Sequence, residues 1–536
     1  MRSRLANALA AVPRQPRGWV CQECLIKPKI RWLSSAPKDK PYYITSPIFY
    51  VNGAPHIGHL YTLVLADILK RWHALLGRKS ILVTGTDEHG MKVQQAAEKA
   101  GQEVRAFCDE AYKPFQALAN EAHIDYDHFI RTSEPDHSLC LENESAVQLA
   151  LDPATGRKFT ASKETGKEVE WTSENNYHFR LSAFHSRLRE YYSNNNNAIV
   201  PRTRMKDVQN EIMNGLQDLS ISRPLERLSW GIPVPDDATQ TIYVWLDALI
   251  NYLTKANYPF QIPGQENAAG WPADCHVIGK DIVRFHCIYW PAFLMALDLP
   301  LPKQIFTHAH WTLGTNKMSK STGMVVNPFF AINRFGVDCM RYYLALEGGI
   351  RDDSSYDNSF IIARYKSGLQ SGLGNLVSRV TRGKGWDVRR AVKNSDKYME
   401  QLDQQLSSDL RKLNSVVLRC MELPDPREGL RTIMTVVYST NAYMQSSAPW
   451  DLDEPEKQEQ LDRIIYLCAE SLRVCGILLQ PYMPAKMKQL LDMLGVAEDA
   501  RMYSNASLGK DQEYGEPKYE IGKKTEVLFP PLTSYF

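Results

Sequence analysis

From Tyr42 to Tyr50 the chain is almost continuously aromatic, aliphatic or β-branched, the pattern of a buried strand. A turn carrying Asn52, Gly53 and Pro55 follows. From His59 to Leu76 the apolar residues Leu60, Leu63, Val64, Ile68 and Leu75 recur at helical spacing and stop at Gly77. Ile81-Leu82-Val83 reads as a second strand and Met91 to Ala100 as a second helix. Strand and helix alternating at this pace predict an α/β fold with a doubly wound parallel sheet. The rhythm breaks over about 121–235, where Thr, Lys, Glu and Gly dominate and Asn194 to Asn197 make a polar tip. That stretch reads as an insertion between the two halves of the sheet. Alternation returns at Ile242-Tyr243-Val244-Trp245, at Cys275-His276-Val277-Ile278-Gly279 and at Ile305-Phe306-Thr307-His308.

Beyond about residue 356 the strand signal fades. Segments 361–382, 396–422, 427–446 and 457–480 carry helical periodicity, broken at Pro424-Asp425-Pro426 and at Pro449, which predicts an all-α bundle. A polar tail follows, and its apolar end, Val527-Leu528-Phe529-Pro530-Pro531-Leu532, is expected to dock back on the body.

A chain of 536 residues has length for about three or four domains. It has no apolar run of about 18 residues, so no membrane partner is expected. The leader changes the picture more. Arg2, Arg4, Arg14, Arg17, Lys27, Lys29 and Arg31 stand there against one acid, Glu23. Such arginine-rich, acid-poor segments read as mitochondrial transit peptides, and Arg31-Trp32-Leu33-Ser34 resembles a matrix-protease cleavage site. Residues 1–40 are therefore expected to be leader and linker, addressed to the mitochondrial matrix. Without residues 1–33 the formal charge falls from +2 to about −4, so any nucleic-acid contact must come from local patches. The ten cysteines are scattered, as in a reducing compartment. Cys21-x-x-Cys24 lies in the leader with no second pair, so no structural zinc or other protein-bound metal is expected.

Two strings carry chemistry. His56-Ile57-Gly58-His59 puts two imidazoles at a helix start, where unpaired N–H groups and the helix dipole favour an anion. Gly58 removes a side chain, so a flat ring can lie on the backbone. About 260 residues later, Lys317-Met318-Ser319-Lys320-Ser321 sets two lysines on a Gly- and Ser-rich loop, where mobile ammonium groups can follow phosphate charge. Either alone is ordinary: a capped helix, a solvated basic loop. Together, in this order, they resemble the paired signature of class I aminoacyl-tRNA synthetases, which implies a site gripping ATP from two sides.

Further segments narrow the resemblance. Ser46-Pro47-Ile48-Phe49-Tyr50-Val51-Asn52-Gly53, Gly85-Thr86-Asp87-Glu88-His89-Gly90, Tyr243-Val244-Trp245-Leu246-Asp247-Ala248 and Gly279-Lys280-Asp281-Ile282-Val283-Arg284-Phe285-His286 resemble methionyl-tRNA synthetases of the mitochondrial or bacterial-like branch, and the likeness spans 41–536. The resemblance implies a Rossmann-type catalytic domain over 41–355, interrupted by an inserted connective domain at about 121–235, and an anticodon-binding bundle over 356–536. It implies that His56, His59, Lys317 and Lys320 are catalytic. ATP would be bound by Gly58, Gly279, Asp281, Lys317, Met318, Ser319, Lys320 and Ser321, with magnesium. Methionine would be bound by Ile48, Tyr50, Asp87, Trp245, Ala248, Tyr252, Ile282 and His286. An ion pair from Asp87 suits the amino group, and an aromatic-walled slot suits a polarizable thioether. Asn375 and Arg379, one helical turn apart, with Trp450 of Ala448-Pro449-Trp450, would read the anticodon of tRNA(Met) by edge contacts and stacking. Lack of an appended tRNA-binding barrel implies a monomer.

The chain departs from that pattern in two places. Ala309 follows His308 where glycine is frequent. Glu134-Pro135-Asp136-His137 also runs into Asp152-Pro153-Ala154-Thr155-Gly156 with a piece of the order of 30 residues missing, about one supersecondary unit. The insertion is thus expected to be shortened around 137–170, which leaves a catalytically impaired tRNA-binding paralogue, or a truncated gene model, as the alternative reading. Valine, isoleucine and leucine enzymes would need a much larger editing insertion, and the cysteine enzyme a Cys/His zinc cluster.

Overall fold

The computed structural model describes residues 40–142, 174–261, 264–313, 316–317, 326–383, 385–452, 454–516 and 527–532. The expected leader, Cys21 and Cys24, and most of the stretch at about 137–170 where the insertion is expected to be shortened lie outside the described residues.

Six strands form the central sheet: β1 (Tyr42–Tyr50), β2 (Ser80–Asp87), β3 (His128–Arg131), β4 (Ile199–Val200), β5 (Cys275–Gly279) and β6 (Ile305–His308). All neighbours are parallel, in the order β3-β2-β1-β5-β6-β4. The chain winds outward from β1 to β3 on one side, crosses to the far edge for β4, and then lays β5 beside β1 and β6 between β5 and β4, so the winding reverses between β1 and β5. Both edge strands, β3 and β4, come from the stretch read as insertion; the sheet reaches into it at either end.

Helix α1 (Ile57–Leu75) has little solvent-facing surface: besides the expected stripe, Tyr61, Leu65, Leu69 and Trp72 are buried. One face lies on the sheet, and the other meets the helices Val337–Glu347 (α3) and Pro426–Ser447 (α6). The second covering helix of the site, α2 (Val244–Thr254), corrects one expectation. Ile242 ends an antiparallel strand, Asp237–Ile242, and the helix begins at Val244, so the apolar run Ile242 to Trp245 is a strand-to-helix junction rather than a strand of the main sheet.

The C-terminal third is helical as the periodicity predicts. The first segment is three consecutive pieces: Asn358–Arg364, a π-helical stretch Tyr365–Gly374, and α4 (Asn375–Arg382). Then come α5 (Gln404–Glu422), α6, α7 (Gln458–Leu479) and α8 (Pro484–Met493). The apolar tail docks back: Leu528 and Phe529 are buried, and the Tyr365 hydroxyl donates to the Pro530 carbonyl at 2.6 Å. Among the described residues no helix is long and apolar enough to cross a membrane.

Catalytic layer and bundle are joined by a buried charge. Arg341 of α3 donates to Asp67 of α1 at 2.5 Å and to the carbonyls of Pro481 and Tyr482, ahead of α8, at 2.8 and 3.0 Å. Both charged side chains are essentially inaccessible to solvent.

Candidate active site

The crevice originates in a proline. Pro47 has no N–H to give to a ladder, and the register of β1 against β2 shifts between Thr45 and Ile48. The ladder of β1 with β5 spans only Ile44 and Thr45, whereas pairing with β2 continues to Tyr50 opposite Asp87. The sheet therefore opens at the carboxyl ends of β1 and β5, where its winding reverses, the location at which open α/β sheets bind ligands. A cavity of about 520 Å³ occupies the gap. Each residue expected to contact ATP or methionine whose side chain is described lines it: Ile48, Tyr50, His56, Gly58, His59, Asp87, Trp245, Ala248, Tyr252, Gly279, Asp281, Ile282 and His286.

On one side the wall is the start of α1. His56 is its N-cap, and its Nδ1 accepts the Gly58 N–H at 3.1 Å. His59 Nδ1 accepts the His56 N–H at 3.0 Å, and the two rings stack with centroids 3.7 Å apart. Capping and ligand binding are therefore compatible. Because each Nδ1 is an acceptor, each neutral ring carries its proton on Nε2 and keeps that N–H as a donor. Gly58 is required by the cap itself, since a Cβ there would come within 2.9 Å of the His56 ring.

Asp87 ends β2, and its neighbours fan away from the cavity. Glu88 is fully buried and held by Arg131 at 2.8 and 2.9 Å, with the Thr86 and Ser133 hydroxyls also donating to it. His89 turns to Asp247. Asp87 itself is buried, and its Oδ1 has no hydrogen-bond partner. Burial, then the nearby charge of Asp247, pushes the Asp87 carboxyl well above the usual carboxylate range. A buried, unsatisfied carboxylate facing a cavity suits a cationic ligand group.

The opposite wall is aromatic. Trp245 stacks on Phe285 at 3.5 Å between centroids, so it is both packed and cavity-lining. His286 lies in a π-helical turn, Phe285–Tyr289, and burial lowers its pKa to about 4. Neutral His286 donates from Nδ1 to the Ile282 carbonyl at 3.0 Å and accepts the Tyr252 hydroxyl on Nε2 at 2.7 Å. With their polar atoms satisfied by one another, these side chains offer a slot suited to an uncharged, polarizable group.

Gly279 and Asp281 form the rim beyond β5. A Cβ on Gly279 would meet Asp281 Oδ1 at 2.7 Å, so glycine permits the turn that brings this carboxylate back over the strand end. His310 Nε2 stands 3.0 Å from the same oxygen, and Lys280 pairs with Asp353 at 2.7 Å. Lys317 pairs through its backbone with Thr312 in a short antiparallel ladder. Met318, Ser319, Lys320 and Ser321 lie outside the described residues.

Several lining residues escaped the sequence reading. Arg223 is one, with its guanidinium 4.2 Å from the Tyr243 ring centroid and bonded to the Ser220 hydroxyl and the Ser222 carbonyl. His308 is another, with Nε2 2.8 Å from the Thr62 hydroxyl. A third group, Asp247 with His89 and His137, lies just behind Asp87. No local signal marks Arg223, whereas His308, His89, Asp247 and His137 stand inside recognised segments without a part assigned to them. Among the described residues no group of three or more His, Cys, Asp or Glu side chains could hold a metal ion.

In the bundle, Asn375 and Arg379 share one face of α4. The Arg379 guanidinium carbon lies 5.8 Å from the Trp450 ring centroid, and that indole is 45% exposed. Ala448 adopts φ +41°, a left-handed conformation unusual for alanine, which ends α6 and swings Pro449 and Trp450 beside α4. Ser378, Arg379, Arg382, Trp386 and Trp450 line a shallow surface pocket there.

Comparison with known proteins places the chain in a family. The family model described as tRNA synthetases class I (M) matches residues 42–150 and 151–381. A probable mitochondrial methionine--tRNA ligase of Neurospora crassa is 47% identical over 96% of this chain and 91% of that protein. The human mitochondrial methionine--tRNA ligase is 37% identical, covering 92% and 91%. The structure of Mycobacterium tuberculosis methionyl-tRNA synthetase in complex with methionyl-adenylate superposes with a TM-score of 0.80 at 33% identity, over 92% of this chain and all of that one. The chain belongs to the class I tRNA synthetases, in the family of methionine--tRNA ligases.

Proposed function

We propose that this chain ligates L-methionine to tRNA(Met) in the mitochondrial matrix, acting as a monomer, with a catalytic domain over 41–355 and an anticodon-binding domain over 356–536. The observation that carries the reading is the unpartnered Oδ1 of buried Asp87 in a cavity that the aromatic residues Trp245 and Tyr252 and the imidazole-capped start of helix α1 also line. Asp87 takes the ammonium group, and Tyr50, Trp245, Ala248, Tyr252, Ile282 and His286 enclose the thioether. Ile48 closes the slot. Asp281 holds the ATP ribose beside Gly279, and the adenine lies on Gly58.

In the first step a methionine carboxylate oxygen attacks the α-phosphorus. A P–O bond forms, the bond to pyrophosphate breaks, and methionyl-adenylate results. The Nε2–H groups of His56 and His59 donate to phosphate oxygens, and Lys317 and Lys320 meet the charge gathering on the leaving pyrophosphate. Met318, Ser319 and Ser321 form the loop that carries them. Magnesium would come with ATP and would supply positive charge against its phosphates. In the second step a terminal ribose hydroxyl of the tRNA attacks the acyl carbon and AMP leaves. Asn375, Arg379 and Trp450 select the tRNA by its anticodon.

The test is aminoacylation by the chain freed of residues 1–33. Charging of tRNA(Met) with methionine is expected. Binding of tRNA(Met) without charging would overturn the reading in favour of a silent paralogue.

A further inference from the structure

Behind Asp87 lies a cluster to which the reaction assigns no part. Asp247, on α2 between Trp245 and Ala248, is 1% exposed. Its Oδ2 accepts from His89 Nδ1 at 2.7 Å and its Oδ1 from His137 Nε2 at 2.6 Å. His137 is fully buried, and its Nδ1 stands 2.9 Å from the Thr254 hydroxyl, about two turns further along α2. A carboxylate with an imidazole on each oxygen is an expensive arrangement to bury, and a packed apolar group would stabilise the fold as well. Its position offers a reason. His89 follows Asp87 by two residues, so the bond to Asp247 ties the Asp87 loop to the helix that carries Trp245 and Ala248. His137, on the helix Pro135–Glu142 where the chain leaves the sheet for the insertion, holds the other oxygen and fixes the carboxylate's rotation.

We propose that His137 and His89, acting through Asp247, are positioning residues that hold Asp87 in register with the aromatic wall, so that ammonium and thioether are bound at a set separation. This rests on Asp87 being the ammonium ligand. His137 presents Nε2 to Asp247, and glutamine carries a donor at a comparable reach, whereas leucine fills the space without one.

The experiment compares His137→Leu, His137→Gln and Asp87→Asn in methionine-dependent pyrophosphate exchange. It adds equilibrium binding of methionine and of its deaminated analogue, methylthiobutanoate. His137→Leu should raise the methionine KM about tenfold, the scale of one lost buried hydrogen bond to a charge, and leave the ATP KM unchanged. Affinity for the deaminated analogue should not move, and His137→Gln should recover most of the methionine KM. Equal losses for methionine and the analogue, or no loss for either in a folded His137→Leu protein, would overturn the proposal. Asp87→Asn separates the two layers. If it binds methionine normally, the assignment of Asp87 itself fails. If it loses methionine while His137→Leu does not, only the positioning role fails.

Discussion

His59 accepts the backbone N–H of His56 while His56 accepts that of Gly58, so two stacked imidazoles build a reciprocal cap of the kind usually made by a serine and a glutamate. The cap fixes the tautomer of both rings and puts the ring N–H of each on Nε2. Asparagine at position 56 would keep the cap and lose the ring. His56→Asn should therefore change stability by less than about 1 kcal/mol, because asparagine is itself a strong N-cap. Pyrophosphate exchange should fall about 10²-fold, as when one donor to a developing oxyanion is removed. Thermal melting and exchange measured on one preparation check both halves.

The methionine KM should depend on pH through Asp87. Burial and the charge of Asp247 raise its carboxyl pKa in the empty site, and only the ionised carboxylate pairs with an ammonium group. KM should accordingly fall as pH rises through that raised pKa, and level off above it. Asp87→Asn should raise KM strongly and flatten this limb. Steady-state exchange at a series of pH values measures both.

Asp67 carries the junction between catalytic layer and bundle. Burial alone would raise its pKa, but Arg341 first and then Arg71 outweigh that and hold it below the ordinary value. A group with a depressed folded pKa stabilises above its unfolded value, about 3.9, and that stabilisation is lost as pH falls from there toward the folded value. Asp67→Asn, which strands the Arg341 guanidinium, should cost roughly 3–5 kcal/mol near neutrality. The difference from the parent should shrink below about pH 4. Urea unfolding across that range reads it.

Trp450 and the adenylate site should separate cleanly. Trp450→Ala removes a half-exposed stacking surface beside Arg379 and leaves the crevice untouched. The tRNA KM should rise at least about tenfold, the scale of one lost base–aromatic stack, with unchanged pyrophosphate exchange. A matching fall in exchange would show that the substitution disturbs the fold.

Much of the layout was readable because burial writes periodicity into sequence. β1 and the helix Met91–Ala100 coincide with their patterns, and the bundle helices break at the expected prolines. Ile242 to Trp245 misled because four apolar residues look alike in a strand and in a buried helix start. The short strands β3 and β4 were missed as parts of the sheet because edge strands of two to four residues carry little pattern. At the site, motif residues were legible because a turn or helix start places them together locally. Arg223 was not, since one arginine in a polar stretch has no periodicity and gains meaning only against Tyr243. Nor was the Asp247 cluster, whose partners His89 and His137 stand 158 and 110 residues away in sequence. The tail could be read as apolar, but its seat beside Gly374, where a Cβ would lie 3.3 Å from Phe529, is visible only in three dimensions.

The central claim is that the crevice between β1 and β5 activates methionine. The direct measurement is ATP–pyrophosphate exchange by the purified chain, run with each of the proteinogenic amino acids in turn. Exchange supported by methionine and abolished in Asp87→Asn is the predicted result. Exchange supported by a different amino acid, or none with any while tRNA(Met) still binds, would contradict it.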